Sequence, residues 1–210
     1  MLVKSPLYHA WKRGLSTGLK KQRFNRIMQH AVIPQGRPFR VLEIGCADGK
    51  DVIQFLLNIP NCEIHAVDLL PQNLPPEVTF HQADAAELPF ADGDFDLVIS
   101  IGLLEHIEPI EKLSATIKEM RRVGQACAAI VPCISTWLEP HALRFKWPLK
   151  HHKQHIYKNP AKPLLRLNYF TDHTWTKFEG FSDADLVRFY YFFPLVQNLL
   201  IFAGPNNSSL

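Results

Sequence analysis

The chain has 210 residues, 47% of them apolar and 20% charged, which is one domain's worth of core and excludes a disordered chain. No apolar run approaches the roughly 18–20 residues a membrane span needs. Net charge is only +3, yet residues 1–42 hold nine Lys or Arg and no acid, while residues 43–120 hold fifteen acids against three bases.

A third block, residues 141–171, holds seven bases. Basic flanks around an acidic centre either favour an anionic partner or are the solvated faces of an ordinary fold. Cysteines 46, 62, 127 and 133 form no CxxC pair and no secreted framework, so they read as free thiols in a reducing compartment. With no apolar core of a secretory signal near the start, the expectation is a cytoplasmic protein. One domain is expected over 1–210: a helical cap (1–38), a core (39–133), an insertion (134–172), and a terminal helix with a β-hairpin (173–204).

In chain order, residues 7–32 place Leu7, Trp11, Leu15, Leu19, Ile27 and Met28 near helical spacing, with Pro34 and Gly36 as the stop. Phe39–Gly45 is an apolar strand running into a Gly-containing loop. Asp51–Asn58 is a helix with Val52, Ile53, Leu56 and Leu57 inward. Glu63–Leu69, Val78–Asp84, Phe95–Ile101 and Gln125–Cys133 are further strands, and Glu108–Val123 is the clearest helix. Only nine residues, LLPQNLPPE, separate Asp68 from Val78, too few for a full crossover helix. Leu186–Phe193 and Gln197–Ala203 add a hairpin around Pro194. Near-continuous apolar strands alternating with helices imply α/β architecture: a doubly wound, mostly parallel, seven-stranded, Rossmann-like sheet with an antiparallel terminal strand.

The chemistry centres on Val41-Leu42-Glu43-Ile44-Gly45-Cys46-Ala47-Asp48-Gly49, a strand, a tight loop and a helix start. Small residues at 45, 47 and 49 let a ligand approach the backbone, at the strand end where open α/β sheets bind. The spacing is not the GxGxxG of a pyrophosphate cradle. Glu43 and Asp48 frame the loop and suit a cation better than a diphosphate. Asp68 ends the next strand, where a carboxylate accepts both hydroxyls of a ribose. Asp84, with Ala85 after it, ends the strand beyond and offers an acceptor and a backbone N–H to a base edge. Each acid alone is equally well a surface or capping residue; the three in this order form a pattern.

VLEIGCADG, AVDLL and DAAELPFADGDFDLVISIGLLEHI together resemble the class I S-adenosylmethionine-dependent methyltransferases, in particular the type-11 small-molecule group. The resemblance runs from about Arg40 to Cys133. It implies strand order 3-2-1-4-5-7-6 and S-adenosyl-L-methionine as cofactor, with S-adenosyl-L-homocysteine as product. It places the methionyl end at Glu43, Gly45, Cys46, Ala47 and Gly49, the ribose at Asp68, Leu69 against the adenine, the adenine edge at Asp84 and Ala85, and Ser100 toward the methyl side. The chain departs from the family at Ala47, where a glycine is usual, and in the short 68–78 connection.

Methyl transfer from a sulfonium needs alignment more than acid–base machinery, and a base only for a protonated acceptor. The candidates are His106, which is either a base at the cleft mouth or a helix cap, and Glu139 with His141 beside Trp137, Phe145 and Trp147. That second group is either an acceptor pocket or a cover loop. His151, His152 and His155 lack a Cys or acid companion, so no metal is expected. The expected activity is O- or N-methylation of a small or medium-sized acceptor, whether anionic or glycan- or lipid-linked, with nucleic acid disfavoured as a partner. The rivals are an NAD-dependent oxidoreductase and a cofactor-binding member that transfers nothing.

Overall fold

Apolar residues on both faces of the central strands force layers above and below a sheet. The computed structural model describes residues 6–136, 138–139, 144–145, 155–158, 166–191 and 196–205. Strands β1 (Phe39–Ile44), β2 (Cys62–Asp68), β3 (Val78–Gln82), β4 (Phe95–Ile101) and β5 (Gly124–Pro132) run parallel. The sheet is completed by β6 (Asp185–Tyr191) and β7 (Val196–Ala203), with β7 antiparallel to both β5 and β6. The order across the sheet is 3-2-1-4-5-7-6, as the resemblance implies. Two short antiparallel pairs stand apart from it, Leu138–Glu139 with Arg144–Phe145 and His155–Lys158 with Arg166–Tyr169.

Strand alternation divides the core. Val41, Leu97, Ile99 and Leu200 face helix α1 (Pro6–Met28) and the short helix α2 (Ile53–Leu56). Leu42, Ile44, Val98 and Leu199 face helix α3 (Ile110–Val123) and the aromatic cluster Phe170, Trp175, Phe178 and Phe181. Helix α3 earns its place by periodicity: Leu113, Thr116, Ile117, Met120 and Val123 are all buried, a stripe at helical spacing. Trp175 belongs to the one-turn helix α4 (Asp172–Trp175).

Several expectations need correction. Helix α1 stops at Met28 rather than residue 32, and α3 starts at Ile110 rather than Glu108, after a separate 3-10 turn at Leu104–His106. Helix α2 spans four residues, because its flanks close with tighter i→i+3 bonds such as Phe55 N–H to Val52 O and Asn58 N–H to Phe55 O. Leu57, expected inward, is 39% exposed. Strand β3 ends at Gln82, so Asp84 sits two residues past it. The 68–78 stretch forms no helix; it drops Leu74 against the glycine loop, where a Cβ on Gly49 would lie 3.0 Å from Leu74 Cδ2.

Candidate cofactor site

Parallel strands present their carboxyl ends on one side of the sheet, and a crevice opens where the strand order reverses between β1 and β4. A cleft of about 210 Å³ lies there. That is below the roughly 300–1,000 Å³ of pockets enclosing a whole drug-sized ligand, so it fits part of a nucleoside cofactor. Its walls are Gly45 beyond β1, Asp68 and Leu69 at the end of β2, and Asp84 and Ala85 beyond β3. The turn after β4 closes it with Leu103, His106, Ile107 and Glu108, and α3 contributes Lys112.

Asp68 is fixed by backbone donors on both sides. The Ala47 N–H donates to Oδ2 and the Leu70 N–H to Oδ1, each at 3.0 Å. The glycine loop is therefore tied to Asp68 across the β1–β2 gap. Gly45 has φ +72°, and a Cβ there would come 2.9 Å from Leu103 Cδ2; only glycine lets the loop and the β4 turn meet in that way. Ala47 also has positive φ, at 45°. It holds the left-handed conformation without the glycine that makes it cheap.

Asp84 is held at both oxygens, by Lys112 Nζ at 2.6 Å and by the Ala86 N–H at 3.0 Å. The Lys112 ammonium and then that N–H hold the Asp84 carboxyl below its ordinary range, against a smaller opposing push from burial. Among the described walls, Asp68, Asp84 and Glu108 are acids and Lys112 is the single Lys or Arg.

Gly45, Asp68, Leu69, Asp84, Ala85 and His106 thus line one cleft. Glu43, Cys46, Ala47, Gly49 and Ser100 do not form its walls. Pleating explains Glu43: Ile44 faces the cleft, so Glu43 turns to the α1 side, 2% exposed. Burial, and then the Asp51 charge, push its carboxyl well above the usual range. Asp48 is engaged by Lys50, whose hydrogen bond lowers its carboxyl. The Cys46 thiol is buried and pushed up to about 12 by desolvation. Ala47 contributes its N–H rather than its side chain. Ser100 is 1% exposed, and its hydroxyl finds no partner among the described residues.

His106 ends the 3-10 turn and lines the cleft, while α3 begins four residues later at Ile110 with Pro109 at its N-cap position. Glu139 lies in a two-residue strand whose side chains are outside the described residues, and His141 lies outside them altogether. Lys112, Leu103 and Ile107 were not anticipated. Lys112 left one signal: a cation in the first turn of a helix, where the dipole disfavours it.

Residues 41–125 match the family model described as a methyltransferase domain. In three dimensions the chain superposes on the Burkholderia thailandensis 1,6-didemethyltoxoflavin-N1-methyltransferase bound to S-adenosylhomocysteine. The TM-score is 0.64 over 94% of this chain and 83% of that one, at 18% identity. The chain has a class I methyltransferase fold. The segment matching the methyltransferase model contains every residue named above as lining the cleft. Ajmaline N-methyltransferase of Rauvolfia serpentina is 32% identical over 109 residues, 47% of this chain. The "Probable tocopherol O-methyltransferase, chloroplastic" of Oryza sativa subsp. japonica is 32% identical over 120 residues, 50% of this chain. The chain spans about a third of the length of these curated relatives, 36% and 32% respectively.

Proposed function

We propose that the protein transfers a methyl group from S-adenosyl-L-methionine to the oxygen or nitrogen of a small or medium-sized acceptor. One observation carries the reading: the carboxylates of Asp68 and Asp84, on neighbouring strand ends, line the same cleft, and each is anchored by a backbone N–H. Asp68 keeps lone pairs for a ribose diol, Asp84 for a base amine, and Ile44, Val67, Leu103 and Ile107 supply an apolar bed. A surplus of acid in the walls suits a sulfonium nucleoside. It disfavours the diphosphate of the rival NAD reading, and the four-residue α2 spends its N–H groups internally, with Gln54 donating to Gly49 O and Phe55 to Val52 O.

When bound, the cofactor supplies an activated methyl electrophile. The chain's part is to orient the nucleoside, exclude water, and bring the acceptor into line. His106, at the cleft wall, accepts a proton where the acceptor carries one; Glu139 and His141 are the second candidates. Residues 134–172 form the acceptor side of a single domain, and their basic charge suits an anionic or glycan- or lipid-linked acceptor. Four cysteines free of disulfides support a reducing, cytoplasmic setting. Among the described residues no helix is long and apolar enough to cross a membrane.

Calorimetry tests the cofactor: S-adenosylhomocysteine should bind with micromolar affinity and NADH should not, and the reverse refutes the reading. Methyl-labelled S-adenosylmethionine with a panel of phenols, amines and nitrogen heterocycles tests transfer. Binding of S-adenosylhomocysteine without any labelled product would favour the non-catalytic alternative.

A further inference from the structure

We propose that Lys112 is a positioning residue that holds the Asp84 carboxylate toward the base end of the cleft and, through it, selects a 6-aminopurine nucleoside over a 6-oxopurine one. The proposal rests on reading the cleft as a nucleoside site and deepens it. Lys112 Nζ lies 2.6 Å from Asp84 Oδ2, the Ala86 N–H takes Oδ1, and Lys112 and Asp84 both line the cleft. Two donors from different elements leave the carboxylate little freedom to turn toward solvent.

Lys112 is the third residue of α3. A cation in the first turn opposes the helix dipole, and such breaches of local preference gather at functional positions. Stability does not explain it. The pair is 37% and 39% exposed, where an ion pair adds little to stability, and α3 is anchored independently by Leu113, Ile117 and Met120.

The chemistry of selection follows from the acceptor-only character of an ionised carboxylate. A 6-amino group donates to it. A 6-oxo group points lone pairs at it and leaves it unmatched, which a polar site penalises. Without Lys112 the carboxylate loses one of its two anchors, and the penalty fades because the group can swing away.

The test is titration calorimetry of the full chain with two ligands, S-adenosyl-L-homocysteine and S-inosyl-L-homocysteine, on the wild type, Lys112→Met, Lys112→Arg, Asp84→Asn and the Lys112→Met/Asp84→Asn double variant. The wild type should prefer the adenosyl ligand by at least about tenfold. Lys112→Met should lose roughly five- to tenfold of adenosyl affinity without any loss of inosyl affinity, and Lys112→Arg should recover to within about twofold. The double variant should bind no worse than Asp84→Asn alone, the non-additivity of two residues acting as one unit.

Equal weakening of both ligands by Lys112→Met would reduce Lys112 to a structural role and overturn the proposal. So would a preserved preference in Lys112→Met alongside a collapsed one in Asp84→Asn. If the wild type bound the adenosyl ligand without preferring it, the base assignment of Asp84 would fall with the proposal, while the nucleoside reading stood. Absence of adenosyl binding in the wild type would sink both.

Discussion

The two halves of the sheet are held together by different means. Strands β1 to β3 are joined by a four-residue helix and by a helix-free stretch, whereas β4 and β5 are joined by the fourteen-residue α3, backed by Trp175, Phe178 and Phe181. Where helices are stunted, polar clamps take over. Asp68 gathers the N–H groups of Ala47 and Leu70. Along β2 and β3, His65 Nε2 meets Glu63 at 2.8 Å and His65 Nδ1 meets His81 Nε2 at 3.1 Å. A half built from directional bonds places acceptors accurately for a ligand; a half built from apolar packing supplies stability that needs no direction.

That contrast makes predictions that separate folding from binding. The largest effect belongs to the packed half: Ile117→Ala should cost about 3 kcal/mol in urea unfolding and leave S-adenosylhomocysteine affinity of the folded protein unchanged. A matching loss of affinity would blur the division.

Next, Asp68→Ala should weaken S-adenosylhomocysteine binding by at least roughly thirtyfold, the loss expected when a charged hydrogen-bond acceptor worth about 2 kcal/mol is removed. Its melting temperature should move far less than that of Ile117→Ala. Unchanged affinity in calorimetry would contradict the ribose assignment.

Smaller still is Ala47→Gly. Relief of the left-handed alanine, about 1–2 kcal/mol, is offset by the roughly 0.5–1 kcal/mol of glycine's chain entropy, so the variant should be up to about 1.5 kcal/mol more stable. A destabilised variant would mean that the alanine methyl packs usefully in the loop.

The smallest effect is a pH slope. Burial, and then the His65 charge, hold His81 below its ordinary 6.5. The unfolded chain therefore binds more protons in the window just under 6.5, and stability rises with pH through it, complete above 6.5 and lost below the folded value. His81→Gln should flatten that segment of a chemical-denaturation profile; an unaltered slope would assign it to other groups.

Much of this organisation was legible in the sequence. The apolar runs of β1 and β4, the i, i+3, i+4 stripe of α3 and the Leu186–Ala203 hairpin signal all fell within a few residues of their elements. Asp68 and Asp84 were recognisable because turn and strand signals place them at strand ends, a local property. Lys112 was not, because its partner is twenty-eight positions away along the chain. That Glu43 turns into the α1 layer, away from the cleft walls, likewise follows from the pleat of a strand packed on both faces.

By itself, the sequence determined which segments become strands, which faces are apolar, and which acids stand at strand ends, since all of these follow from short-range periodicity and turn chemistry. Tertiary structure alone decided which of those groups meet. The cleft is assembled from four strand ends that pairing brings side by side, and the same pairing sets a lysine from α3 against an aspartate beyond β3. No local pattern encodes a distance between segments that only the sheet makes neighbours.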